Sequence, residues 1–176
     1  PLLRGEGVDF QGELYKAKGR ITTPGAQPVQ LAVAALGPVM LAHAGRLADG
    51  SISWMTGVRR LADHSGPRLR GAAAEAGRPE PRVIAGLPIA LTNDAAAARE
   101  KMDKAFAVNP SLPSYRAMLD REGVDGPAGI ALVGDEAELR AQIGRLRDAG
   151  VTDFDAAITP VPDGPVDRTL EFLASV

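Results

Sequence analysis

The strongest constraint in this sequence is the way short apolar runs alternate with longer amphipathic ones. Val29 to Ala35 is mostly apolar and bounded by Pro28 and Gly37, which predicts a buried parallel strand. Pro38 then stands at the first position of a helix that carries Met40, Leu41, Ala44, Leu47 and Ala48 on one face. That helix turns His43 and Arg46 outward and stops at Asp49-Gly50. Ser51 to Met55 predicts a second strand, which leads through Thr56-Gly57 into a helical region with Leu61, Leu69 and Ala73 as its apolar positions, closed by Gly77-Arg78-Pro79. The third strand is Val83 to Leu91, where Pro88 cannot donate to a ladder and so marks a bulge or the place where pairing stops. Asn93 or Asp94 caps an alanine-rich helix reaching about Phe106. Asp135 with Glu138 forms a capping box ahead of Leu139, Ile143 and Leu146, and Gly150 closes that helix. Val151 to Ile158 supplies a fourth strand, and a terminal helix covers Asp167 to Ala174.

Strand then helix, repeated, implies an α/β fold with a parallel sheet, because each right-handed crossover lays a helix between neighbouring parallel strands. Two architectures satisfy this, an open doubly wound sheet and a closed (β/α)8 barrel. Four strands make a small open sheet, whereas a barrel takes eight; if this is a barrel, half of it is missing. Two stretches break the rhythm. Gly5 to Pro28 is polar and punctuated by glycine, and between 108 and 129 prolines and serines bracket a short helix, Tyr115 to Glu122, with no strong strand after it. The second stretch reads as an insertion. The chain opens at Pro1, and Leu2-Leu3-Arg4-Gly5 reads like the last turn of a helix ending on glycine, so the natural polypeptide is expected to begin earlier. Residues 1–176 are expected to form a single partial domain.

Composition narrows the function. The formal net charge is -2 and the cations are scattered, which argues against a nucleic-acid partner. There is no cysteine, so disulfides, iron-sulfur clusters and thiolate zinc sites are excluded, and two histidines far apart in sequence, His43 and His64, make no metal site. Both are expected at the surface. No apolar run approaches the roughly 20 residues of a membrane span and no basic-then-apolar leader opens the chain, so the cytoplasm is the expected address. Phosphate-loop, dinucleotide-fingerprint and nucleophile-elbow motifs are absent. Asp153 and Asp155 share a strand face, and no role is assigned to them.

In either architecture ligands gather at the carboxyl ends of strands, which directs attention to the loops after Ala35, Met55, Leu91 and Ile158. In Leu36-Gly37-Pro38 the glycine admits close backbone approach, and the helix opening at Pro38 points free N–H groups outward, as a phosphate seat requires. The same turn also serves as an ordinary connector, and both readings stand at this point. Trp54-Met55-Thr56-Gly57 offers a hydroxyl, a glycine and two large apolar groups, of which only one faces the interior because strand residues alternate.

These residues resemble a known family. The run from Pro28 to Met40, continuing as Leu41-Ala42-His43-Ala44-Gly45-Arg46-Leu47-Ala48-Asp49-Gly50, is similar to the fifth strand, loop and helix of luciferase-like flavin-dependent oxidoreductases, the bacterial-luciferase-type TIM barrels. Trp54 to Gly57, Arg82 to Pro88, Leu112 to Gly123 and Leu132 to Asp135 are similar to the branch that uses the deazaflavin coenzyme F-420. The resemblance spans nearly the whole chain. It implies the C-terminal half of a (β/α)8 barrel, with Gly37 and Pro38, Leu36 before them and Ala35 at the strand end contacting the phosphate-bearing side of the cofactor, and Thr56 with Gly57 completing the pocket. It implies an oxidoreductase or monooxygenase passing hydride equivalents between coenzyme F-420 (8-hydroxy-5-deazaflavin), alternatively FMN, and a small organic substrate. Catalytic residues are expected in the absent N-terminal half and are unknown here. Leu36 departs from the glycine or serine of many relatives, and Val58 lies close to where some relatives place a basic residue, with Arg59 as a possible substitute. Different classes of function stay open: a non-catalytic half-barrel remnant or phosphate-ligand binding module needing a partner chain, where a homodimer or the missing half would cover the strand edges, and an independent four-stranded nucleotide-binding module.

Overall fold

The computed structural model describes residues 1–22, 24–25, 27 and 29–176. Pro28, expected to bound the first strand, lies outside the described residues, and that strand, expected as buried from Val29 to Ala35, is confined to Ala32–Ala34 with Val29 and Leu31 exposed, because it stands at the edge of its sheet. The chain falls into two compact units, Pro1–Leu31 and Ala32–Val176. In the first, a single 3-10 turn, Leu2–Arg4, ends on Gly5 at φ 73°, the left-handed backbone that favours glycine. Strands β1 (Val8–Gln11) and β2 (Lys16–Gly19) follow as an antiparallel hairpin with Val8 opposite Gly19. The sequence does not announce this hairpin, because both strands are almost wholly exposed and lack an apolar-in, polar-out alternation.

The second unit is organised by one long strand. It comprises β3 (Ala32–Ala34), α1 (Pro38–Leu47), β4 (Gly50–Trp54), α2 (Val58–Arg60), a π-helical turn at Leu61–Ser65, α3 (Gly66–Glu75), β5 (Arg82–Leu91), α4 (Ala95–Ala105), α5 (Pro113–Glu122), β6 (Leu132–Gly134), α6 (Glu136–Asp148), β7 (Asp153–Ile158) and α7 (Val166–Leu173). All pairings among β3 to β7 are parallel. The order is β3-β4-β5, with β7 along one side of β5 and β6 sharing the other side with β4. Strand β4 pairs with Arg82 through Gly86, and β6 with Ile89 through Leu91. Pro88 sits at that gap. Gly86 accepts from the Met55 N–H on the β4 side and Ile89 accepts from Thr159 on the β7 side, so the missing N–H of Pro88 would have pointed where β4 has ended and β6 has not begun. The proline therefore marks the stop that its chemistry predicts.

Alternation along β5 sorts the two faces. Val83, Ala85, Leu87, Ile89 and Leu91 are buried against the helices in one core with Ala44, Leu61, Leu69, Leu139, Leu146 and Phe172. The opposite face carries Ile52, Trp54 and Ile84, each only partly buried, with Asp155 exposed. Asp153 and Asp155 do share that face, and Arg82 grips Asp153 through two hydrogen bonds, one of 2.9 Å from Nε. Asp94 caps α4 through the Ala97 N–H, and Asp135 with Glu138 forms the expected capping box. Met40 and Leu47, expected on the buried face of α1, are 46% and 73% exposed. Helix α1 buries only a narrow stripe, Leu41, Ala44 and Gly45.

That stripe explains the segment Ala44-Gly45-Arg46-Leu47-Ala48-Asp49-Gly50. A Cβ at Gly45 would overlap the Leu69 carbonyl oxygen of α3 and stand 2.9 Å from the Ala72 Cβ, and one at Gly50 would lie 2.7 Å from the Arg82 carbonyl oxygen. Ala44 and Ala48 are buried, and Asp49 pairs with Arg78 at 3.0 Å. These residues set how closely α1 packs on α3 and β4 on β5. Gly45→Val is expected to destabilise the protein by about 1–3 kcal/mol, the usual range for overpacking. A lowered thermal-denaturation midpoint checks this, and an unchanged midpoint would mean that the two helices do not touch at Gly45.

Candidate functional site

Because Ala34 pairs with Ile52 in parallel register, β3 and β4 run out at the same edge of the sheet and their following loops lie side by side. The first loop is open. Gly37 caps α1 in extended backbone, no side chain bonds to the helix N-terminus, and the first intrahelical donor is the N–H of Leu41. The amides of Val39 and Met40 are thus left without helical acceptors, and Pro38 has no N–H to lose. A Cβ built at Gly37 would meet nothing within 4 Å. The space over this turn is the kind of cradle that a phosphate occupies, with N–H donors and the positive end of the helix dipole turned toward it.

The second loop is closed. Thr56 is fully buried, and its hydroxyl has no hydrogen-bond partner. Met55 before it holds φ 55°, a left-handed conformation that is uncommon outside glycine. Gly57 caps the helix that begins with α2, but that terminus is already occupied by an anion of the chain itself. The Glu122 carboxylate from the end of α5 accepts the Arg60 N–H at 2.7 Å, and a Cβ at Gly57 would come within 2.6 Å of Glu122 Cγ and Oε2. The sequence held no signal for this contact, since 62 residues separate the partners.

A cleft of about 420 Å³ lies beside the first loop, lined by Ala35, Leu36, Ile52, Trp54, Ser114 and Tyr115. Of the two large residues at the end of β4, Trp54 is the one that faces it, while Met55 is buried in the core. The insertion builds its outer wall. Ser114 and Tyr115 come from the start of α5, and Phe106 meets the Trp54 ring edge-on, with centroids 5.8 Å apart. Thr56 and Gly57 do not line this cleft; Gly57 and Val58 border a separate one of about 300 Å³ with Glu122, Arg99 and Arg145. Among the described residues no group of three or more His, Asp or Glu side chains could hold a metal ion, and no helix is long and apolar enough to cross a membrane.

His43 is exposed as expected, whereas His64 is half-buried with its Nε2 enclosed and unpartnered. Burial first, and then the Arg60, Arg68 and Arg121 cations, holds its imidazole below the ordinary histidine range. On acidification below about pH 6.5 the unfolded chain therefore takes up this proton before the folded one, and stability falls as pH drops.

The sequence profile described as luciferase-like monooxygenase matches residues 1–153. The F420-dependent glucose-6-phosphate dehydrogenase of Nakamurella multipartita is 30% identical over 147 residues, which cover 82% of this chain and 42% of that protein. Among solved structures, the coenzyme F420 dependent tetrahydromethanopterin reductase of Methanopyrus kandleri superposes with a TM-score of 0.75 at 22% identity, over 97% of this chain and 56% of the other. The oxygenating constituent of 3,6-diketocamphane monooxygenase from Pseudomonas putida, in complex with FMN, superposes with a TM-score of 0.63 at 14% identity, over 97% and 56%. The chain spans about half the length of the proteins it matches.

Two outcomes test this site's electrostatics. Glu122→Ala is expected to cost about 1–2 kcal/mol, the usual loss on removing a helix cap, as read by chemical denaturation; no loss would show that α2 does not use this carboxylate. His64→Gln is expected to flatten the fall in stability between pH 6.5 and lower values, and an unaltered pH profile would place His64 in solvent.

Proposed function

Since the chain belongs to the luciferase-like monooxygenase family, we propose that it supplies the C-terminal half of a (β/α)8 barrel in an oxidoreductase that uses a deazaflavin, coenzyme F-420, or alternatively FMN. The partly uncovered sheet face supports the half-barrel. A parallel sheet is normally buried on both faces; here helices cover one, while on the other Gly86, Pro88 and Ala90 are buried and Ile52, Trp54 and Ile84 are left partly exposed. Strands β3, β6 and β7 each pair on a single side among the described residues, and the open sides of β3 and β7 would receive the strands of the other half. Length agrees, because the chain spans about half of its relatives.

The observation that carries the functional reading is the open turn at Leu36-Gly37-Pro38 beside an aromatic cleft. The Val39 and Met40 amides would hold the cofactor's phosphate, with Ala35, Leu36 and Pro38 forming the backbone around it. Thr56 and Gly57 would support the pocket from behind; neither lines the cleft. Trp54, Ile52 and Tyr115 would exclude water from the neighbouring space, which contains no charged side chain, and so favour a small uncharged substrate. The bound cofactor supplies the hydride chemistry, and these residues supply position and a dry wall. The groups that handle protons are assigned to the other half of the barrel.

Gly37→Val separates the seat from the fold, because a Cβ at this position meets no protein atom within 4 Å. Titration of the natively produced protein with coenzyme F-420 and with FMN, followed by visible absorbance, is expected to show binding of at least one. The variant is expected to weaken it by about tenfold or more, equivalent to ~1.4 kcal/mol, with the melting temperature unchanged. Unchanged affinity would remove this loop from the site, and failure of both cofactors to bind the native protein would end the enzymatic reading.

A further inference from the structure

The sheet face turned away from the helices carries an unbalanced charge. Parallel pairing sets Ile52, Ile84 and Asp153 in one row across β4, β5 and β7, and Trp54, Gly86 and Asp155 in the next row toward the carboxyl ends of the strands. Paired residues on neighbouring strands point to the same side, so both rows belong to this face. Arg82, two residues before Ile84, shares it and neutralises Asp153 through two hydrogen bonds. Nothing neutralises Asp155. Its side chain is exposed and makes no hydrogen bond or ion pair among the described residues. The other paired positions on this side are uncharged, so one guanidinium stands against two carboxylates.

Asp155 lies in the middle of β7, not at its mouth. A Cβ built at Gly86 would stand 2.9 Å from Trp54 Cε3 and 3.5 Å from Asp155 Oδ2, so the indole and the carboxylate converge over the one residue of their row that has no side chain. In a closed barrel a mid-strand position on this side points into a packed interior. The carboxylate would then lose its water, and a buried charge without a partner is among the most destabilising groups a core can hold. A cation placed over this row answers both neighbours, because it pairs with the carboxylate and lies against the indole.

We propose that Asp155 is a docking point for the other half of the barrel, and that it receives a basic side chain, Arg or Lys, from an inward-facing position on the strands that close onto β7. The proposal rests on the half-barrel reading and deepens it by naming the chemistry of one contact across the closure. Three features of the sheet agree on this occupant: the open side of β7, the partly uncovered face beside it, and the excess negative charge on that face. The pair also fixes register. A strand docked one residue out of place turns its basic side chain to the opposite face and leaves both charges unmatched, a penalty that apolar contacts alone do not impose.

The test uses the natively produced protein. Its crystal structure is expected to place a Lys or Arg nitrogen of the other half within about 4 Å of an Asp155 carboxylate oxygen. Asp155→Leu is expected to lower the folding equilibrium constant by about a hundredfold or more, read by chemical denaturation, because it strands the partner cation in the interior. Replacing that cation by Met in the same chain is expected to recover most of the loss, since the two charges are then removed together. If the single variant does not fold, the crystal structure and the double variant still decide. An Asp155 that stays in water, is held by neutral donors alone or contacts only a bound cofactor overturns the ion pair while the half-barrel and cofactor readings stand, and so does an Asp155→Leu variant as stable as the parent. A native chain with no other half removes the half-barrel reading and the ion pair with it. Failure of coenzyme F-420 and FMN to bind, with the ion pair present, ends the enzymatic reading and leaves this contact in place.

Discussion

The parallel ladder through β5 is the constraint on which the second unit depends. This strand is the one element that pairs along its length on one side with β7, and in succession with β4 and β6 on the other. Its alternate residues are fully buried under the helices, and they tie α1, α3, α6 and α7 to a single core. Because every strand runs the same way, each strand-to-helix turn emerges at the same edge. The loops after β3 and β4 are neighbours for this reason and not because any side chain draws them together. One missing donor, at Pro88, lets two strands share a side of β5 without leaving a broken hydrogen bond.

Two helix amino termini meet that edge, and the chain treats them differently. The terminus of α2 receives a carboxylate from Glu122, which accepts the Arg60 N–H within the protein. The terminus of α1 receives no side chain and opens onto free space. Unmatched donors at a helix end favour an external anion, whereas matched ones do not. The same insertion that delivers Glu122 to α2 also delivers Tyr115 to the wall of the cleft, so a single helix, α5, closes one loop and shapes the space beside the other. Arg68 of α3 donates to the Pro38 carbonyl in the first turn of α1 and so ties the two helices beside the open terminus.

Much of this was legible before any coordinates. The strands around Ile52, Ala85 and Ala156, the caps Asp94 and Asp135 and the stop at Gly150 follow from local chemistry, which is why they agree with the structure. The hairpin β1–β2 and the three-residue strand β6 were not legible. The first has no buried face to impose a period of two, and the second is too short to show one. Leu47 misled for the opposite reason: it has the apolar chemistry of a core residue, yet the close approach of α1 to α3 at Gly45 narrows the buried stripe and leaves Leu47 outside.

The sequence by itself determined the alternation of strands and helices and the parallel sense of the main sheet, and it singled out the turn at Leu36-Gly37-Pro38 without choosing between an anion seat and an ordinary connector. Each of these rests on interactions among residues a few positions apart, which the order of amino acids states directly. Only the tertiary structure decided that Thr56 is buried, that Gly57 faces Glu122, that Trp54 and Tyr115 line one cleft, and that Arg68 reaches the carbonyl of Pro38. Those are contacts between segments 30 or more residues apart in the hydrogen-bonded cases. Their geometry is set by how tightly helices pack on the sheet, and no local pattern encodes that distance.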